Sequence, residues 1–301
     1  MAVAERPTYR YHAMNRPVLL LILTAVLWSL GGVLIKSIEW NPLAVSGGRS
    51  AIAVIVLGTF FPALWRKISW RTFPGALAYT ATVTMFVFAT KLTTAANAIF
   101  LQYTAPIYIA LFGPWLLQER ATKLDWILIS FGLGGILLFF FDQLSFTGTI
   151  GVSLALASGV AYAFLAIALR RERDGSPEAV VLLGNLLTVI VAAPAMFPLE
   201  NLNHNLPWLF ALGVIQLTIP YLTYSAAIRH VRALDASIIS FIEPILNPIW
   251  VLIVMHERAS IWTLVGGAIV LSTSLIRSIL ASRSGKSSIG PALSEVHNPE
   301  L

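Results

Sequence analysis

Ten stretches of predominantly apolar residues follow one another along this chain, separated only by short polar breaks. They lie near 17–36, 42–65, 70–92, 94–116, 124–140, 149–168, 178–198, 206–228, 233–255 and 261–281. At about 1.5 Å rise per residue, each is long enough as a helix to cross a hydrocarbon layer about 30 Å thick. Lipid offers no hydrogen bonds, so a spanning segment must satisfy its backbone internally, as a helix does. Composition agrees with a lipid-facing surface. Only 11% of residues are charged and 57% are hydrophobic, with a mean hydropathy of +0.79. A water-soluble domain carries roughly a quarter charged residues. The expected fold class is an all-α integral membrane protein of ten transmembrane helices. The chain has no cysteine, so disulfides and cysteine-based metal sites are excluded.

The basic residues are distributed unevenly between alternate connecting segments. One set holds Arg6, Arg10 and Arg16; Arg66, Lys67 and Arg71; Arg120 and Lys123; Arg170, Arg171 and Arg173; Arg229 and Arg232; and Arg277, Arg283 and Lys286. The other set holds only Lys36, Lys91 and Arg258, while Arg49 lies inside an apolar run. Segments rich in Lys and Arg are retained on the cytoplasmic side. Both termini are therefore expected in the cytoplasm, with an even number of spans. The net charge of +6 follows from this bias, and the scattered charges form no patch for nucleic acid.

Displacing the chain on itself exposes a faint repeat. At an offset of 138, Ala95, Asn97 and Ala98 meet Ala233, Asp235 and Ala236, and Pro106-Ile107 meets Pro244-Ile245. Glu119-Arg120-Ala121 meets Glu257-Arg258-Ala259 at the same offset. An offset of 135 pairs Pro42 with Pro177, and one of 134 pairs Trp28 with Tyr162. A five-span period makes the second unit enter the membrane from the opposite side, which is an inverted-topology repeat. The expected organisation is a cytoplasmic tail at 1–16, a five-helix unit at 17–140, an inverted five-helix unit at 149–281 and a flexible cytoplasmic tail at 283–301.

With its ten spans, five-plus-five inversion and Pro…Glu-Arg echo, the chain from about 17 to 281 resembles the drug/metabolite transporter superfamily, and within it the EamA-type ten-helix exporters. The likeness extends to the YddG-type amino-acid exporters of that group. What this resemblance implies is efflux of aromatic amino acids, methionine and similar hydrophobic amino acids across a bacterial inner membrane. Both substrate and direction rest on the resemblance.

Candidate binding residues follow from the cost of polarity and of broken helices in lipid. Pro106 and Pro244 fall mid-span, where each frees the carbonyl four residues back, those of Gln102 and Ser240. Asn97 and Gln216 are deep polar residues, and Glu243 is a carboxylate near a span centre. Arg49 is placed either to neutralise Glu243 or to meet a substrate carboxylate. Lys91 and Asp235 lie near span ends, where extension to the interface is expected. Most tryptophans fall at span ends, as an interfacial belt requires, but Trp28 is mid-span. With Tyr79, Tyr103 and Tyr162 it would form an aromatic cavity able to stack a ring or hold an ammonium group. Small residues such as Ala155, Gly159 and Ala163 mark faces for close helix packing.

No phosphate-binding loop is present, and the five histidines lie in tails or loops without metal-ligand spacing. No enzyme activity, cofactor or metal is therefore expected. The expected partners are a small-molecule substrate, the lipid bilayer and protons as a coupling ion; a monomer would suffice. Within the transporter class a multidrug or lipophilic-cation exporter, or another small-metabolite exporter, remains an alternative. Outside that class the alternative is a membrane channel or receptor.

Overall fold

Helix boundaries in this chain are written in its capping residues and prolines. Asn41 accepts from the Ala44 amide and Pro42 follows it, opening a helix at Pro42. Thr94 accepts from Asn97, and Thr122 and Asp125 form a reciprocal capping box. Ser176 caps the helix that begins with Pro177. A computed structural model describes residues 16–141, 148–197, 201–246 and 261–287, and every regular element among them is helical.

In chain order the helices are α1 (Arg16–Trp28), α2 (Gly31–Lys36), α3 (Pro42–Phe60), α4 (Phe73–Leu92), α5 (Ala95–Gln102), α6 (Ala105–Leu116), α7 (Lys123–Phe139) and α8 (Thr149–Arg171). They continue with α9 (Pro177–Ala192), α10 (Leu202–Ala211), a π-helical segment (Leu212–Thr218), α11 (Ile219–Ile228) and α12 (Ala233–Ile239). A further helix, α13, is described over 242–246, and α14 runs Ile261–Ser287. Counting across short breaks, eight helices are long and apolar enough to cross a membrane. The run expected at 124–140 forms α7, 17 residues long, and the run at 233–255 is described only as far as residue 246. Asn247, Pro248 and Glu257-Arg258-Ala259 lie outside the described residues, as do 1–15 and 288–301 of the two tails.

Several spans differ from the sequence expectation. The run at 42–65 ends as α-helix at Phe60 and turns through a 3-10 segment, Pro62–Lys67, because Pro62 cannot continue the α-helical ladder. The run expected to start at 70 is helical only from Phe73. The one expected at 261–281 continues to Ser287.

Apolar side chains cover the outside. Phe60, Trp70 and Trp115 are 76%, 87% and 77% exposed, which water would not tolerate at this density and lipid does. Inside, α4 packs along α8 and α9, α3 along α9, α1 along α11, and α7 along α14. Helices before residue 141 thus take their main neighbours from those after 148, so the two sequence halves interleave. Close approach depends on glycine at specific points. A side chain on Gly159 of α8 would come within 2.8 and 2.9 Å of the Leu101 and Gln102 carbonyl oxygens.

One end of the bundle carries a buried ion-pair network. Asp125, wholly buried, accepts from Arg277 at 2.8 Å and Arg232 at 3.2 Å, and Asp235 pairs with the same two arginines. Burial works against the Arg232 charge, but its bonds to Asp235 and Asp125 outweigh that and hold its pKa above the ordinary value. Glu119 accepts from Arg170 at 2.8 Å and from the Ala233 amide at 3.1 Å, capping α12 from another part of the chain. Asp235 is therefore an interior ion-pair member, correcting the expectation that it reaches toward the interface. Lys91, at the other end, donates to the Ile38 carbonyl at 2.5 Å.

Candidate functional site

Four apolar segments lose their regular helix, and residues at or beside their irregular points line one cavity. The first breaks at Ser29–Leu30, between α1 and α2. The fourth breaks at Tyr103–Thr104, between α5 and α6. The span Leu202–Ile228 passes through the π segment, and the apolar run that begins at Ala233 breaks at Ser240–Phe241, between α12 and α13. Prolines explain two of these breaks. Pro106 and Pro244 supply no amide proton to Gln102 and Ser240, and each helix stops there. Irregular backbone survives at membrane depth only where protein or a cavity satisfies it. The Ser240 carbonyl is taken by the Tyr103 hydroxyl at 2.8 Å, and the Gln102 carbonyl is packed against Gly159. In the π segment, Thr218 donates to Gly213 five residues back at 2.7 Å, and Pro220 follows. Such segments are often found at functional sites.

Around these breaks lies a small cavity of about 40 Å3, lined by Trp28, Arg49, Thr82, Val83, Phe86, Gln102, Tyr103, Tyr162, Gln216, Leu217, Tyr221 and Glu243. This holds a few water molecules at most. Of the residues singled out from sequence, Trp28, Tyr103, Tyr162, Gln216 and Glu243 meet here. Tyr79 stands just behind them, its ring 4.7 Å from that of Tyr221. Asn97 is placed elsewhere, at the start of α5, where its amide donates to Thr93 at 2.8 Å. Pro106 and Pro244 are buried and shape the breaks without lining the cavity.

The aromatic wall is continuous. Trp28 packs on Tyr162, Tyr221 and Tyr224 with ring centroids 6.0, 5.2 and 5.4 Å apart. Tyr221 and Tyr224 were not singled out in the sequence. Their signal was their position: they follow Gln216 in the same span, directly after the helix-disturbing Pro220.

Two ionisable side chains face this wall and do not pair with each other. Arg49, 1% exposed, donates to the Gln216 side-chain oxygen at 3.2 Å and to the Val83 carbonyl at 2.8 Å. Its Nε has no partner, and no carboxylate among the described residues lies within ion-pair distance. The expected alternative, neutralisation of Glu243, is not realised. Gln216 is held against Arg49 by Gly31, where any side chain would reach within 2.8 Å of the Gln216 amide nitrogen. A buried guanidinium with only neutral acceptors lacks compensation for its lost hydration. An anion entering the cavity would supply that compensation.

Glu243 is 6% exposed and lies 2.5 Å from the Tyr103 hydroxyl. That hydroxyl has one hydrogen and two acceptors, the Ser240 carbonyl and Glu243. When the hydrogen points to Ser240, the contact with Glu243 requires a proton on the carboxyl group. When it points to Glu243, the carboxylate is the acceptor. The site therefore accommodates either protonation state without rearranging heavy atoms. No cluster of three or more metal-ligating side chains occurs among the described residues.

Comparison with known proteins agrees with this architecture. The chain is similar to an uncharacterized transporter of Archaeoglobus fulgidus, 24% identical over 261 residues, covering 85% of this chain and 94% of the relative. An uncharacterized transporter of Clostridium kluyveri is 22% identical over 216 residues, covering 67% of this chain and 69% of the relative. A solved crystal structure superposes with a TM-score of 0.74 over 90% of this chain and 99% of its own, at 19% identity, a likeness of fold alone. The EamA-like transporter family model matches twice in tandem, over residues 15–141 and 149–278, which together span most of the chain. A multi-pass membrane protein whose length is taken up by these two matches, this chain belongs to the EamA-like transporter family.

Proposed function

We propose that the chain is a secondary transporter exporting hydrophobic amino acids, aromatic ones and methionine among them, by alternating access around the central cavity. The observation that carries this reading is the cavity's charge arrangement. Arg49, with no carboxylate at ion-pair distance among the described residues, and the Glu243 carboxyl face one space walled by Trp28, Tyr162 and Tyr221. A zwitterionic amino acid matches each part: carboxylate to Arg49, ammonium to Glu243, side chain to the rings. Export from a bacterial cytoplasm rests on the resemblance stated at the outset. The ion-pair end carries the basic loops, which supports placing it and both termini in the cytoplasm.

We further propose ten spans in two inverted five-helix units. Support comes from the tandem family matches, from the paired breaks before Pro106 and Pro244, and from the pairing of α1 with α11 and of α4 with α8, which inversion would exchange. At its present size the cavity has no room for an amino acid, so substrate entry requires the helices around it to separate at one end. Because the sequence halves interleave, the moving bodies combine helices from each.

The test is uptake of labelled phenylalanine, tryptophan and methionine by liposomes carrying the purified protein, with and without an imposed pH gradient. Saturable uptake is expected, lost in Arg49→Gln. Glu243→Gln is expected to remove the response to the gradient. No uptake by folded protein would overturn the amino-acid assignment and leave the family standing. A lipophilic-cation exporter is the second reading, favoured by Glu243 beside the rings. Arg49 opposes it by repulsion, so Arg49→Gln would increase cation transport instead of abolishing uptake.

A further inference from the structure

A second concavity opens on the lipid-facing side of the bundle, away from the central cavity. This groove of about 780 Å3 lies between the start of α4, the end of α6 and the end of α8. Pro74, Gly75, Leu116, Phe164, Ile167 and Ala168 form its floor and walls, and Arg71, Arg171 and Glu172 stand at its mouth. The floor is shallow because α4 crosses α8 and α9 closely: a side chain on Gly75 would meet Val180 at 2.7 Å and Ala168 at 3.0 Å.

Some basic residues at this end are paired within the chain and others are not. Arg170, Arg229, Arg232 and Arg277 each bond a carboxylate of the chain. Arg71 and Arg171 are exposed and have no ion-pair or hydrogen-bond partner among the described residues, and the Glu172 side chain has none either. Three ionisable groups therefore flank an apolar trough at the end of the spans, where a bilayer's headgroups would lie.

We infer that this groove is a binding site for one phospholipid of the surrounding bilayer carrying a primary-ammonium headgroup. The phosphate lies between Arg71 and Arg171, the ammonium on Glu172, and an acyl chain on Leu116, Phe164 and Ile167. The helix ends support this order. The start of α4, beside Arg71, favours negative charge, and the end of α8, beside Glu172, favours positive charge. A lipid with only a negative headgroup would leave Glu172 opposed to it. One with a quaternary ammonium would lose the hydrogen bonds that a primary ammonium donates to the carboxylate. Arg71 and Arg171 belong to different family matches, so the bound lipid joins α4 to α8 across the seam between them.

The experiment is native mass spectrometry of the purified protein offered equal amounts of ethanolamine, glycerol and choline phospholipids, with thermal unfolding as a check of folding. Preferential retention of one ethanolamine lipid is expected. Arg71→Ala and Arg171→Ala should each weaken retention of all three lipids by about fivefold. Glu172→Gln should remove the preference for ethanolamine over choline while phospholipid is still retained. Equal retention of the three headgroups by the folded wild type, or retention unchanged in either arginine variant, would overturn the site. Preference for the glycerol lipid would overturn the headgroup assignment. None of these readouts involves transport, so their failure is distinct from failure of the amino-acid reading.

Discussion

Arg49 and Glu243 are the two residues whose placement is hardest to explain by packing alone. Each is buried, and each finds neutral partners: Gln216 and Val83 for one, Tyr103 for the other. A structural ion pair would have brought them together. Trp28 stands among three tyrosine rings at their side. Aromatic pairs contribute about 0.5–1.5 kcal/mol beyond area burial. Trp28→Ala is therefore expected to lower uptake of tryptophan and phenylalanine up to about tenfold, and of methionine less, at equal expression. Tyr103→Phe removes the hydroxyl that faces Glu243 and is expected to alter the pH response of transport while substrate affinity changes little. A pH series of initial uptake rates in liposomes measures this.

At the scale of elements, the breaks in the spans place the chemistry. Pro244 leaves the Ser240 carbonyl open, and Tyr103 from the other broken span takes it. Pro244→Ala restores an amide proton, so the helix can close on Ser240 in competition with Tyr103. Interhelical hydrogen bonds in membranes average about 0.6 kcal/mol and reach about 1.7. Transport is accordingly expected to fall between about threefold and twentyfold, with expression retained. Gly159→Ala acts on the other broken span. Its methyl group would press on two backbone oxygens that have little room to shift. A loss of about 1–3 kcal/mol is expected, read as a lower unfolding temperature in detergent. The prolines and the Gly159 face were legible in the sequence, because they act on their own helix or its surface. The π segment was not, since an extra residue per turn leaves no compositional mark.

For the molecule as a whole, the ion pairs at the basic end bind different parts of the chain to one another. Glu119 holds Arg170 and the start of α12, while Asp125 holds Arg232 and Arg277. Opening the cavity toward that end would have to part these contacts. Asp125→Asn weakens them and is expected to favour states open at the basic end. The chain has no cysteine, so Thr82→Cys introduces a single thiol on the cavity wall. Labelling by an impermeant maleimide added on the basic side should be several times faster in the Asp125→Asn background. Equal rates would mean that this network is no gate.

The sequence by itself determined what depends on local composition: a membrane solvent, helical spans with their mid-span prolines, and an uneven distribution of basic loops. It also carried the pairing of Pro106 with Pro244, since a repeated pattern needs no knowledge of neighbours. Only the tertiary structure decided which deep residues share a cavity. Trp28, Tyr103, Tyr162, Gln216 and Glu243 converge there, and Asn97 does not. Arg49 has no counter-ion among the described residues, while Asp235 is drawn into an ion-pair network. The physical reason is that a helix turns one side chain every 100° or so. Which face meets lipid, protein or cavity is set by helices distant in sequence, and here those neighbours come from the opposite half of the chain.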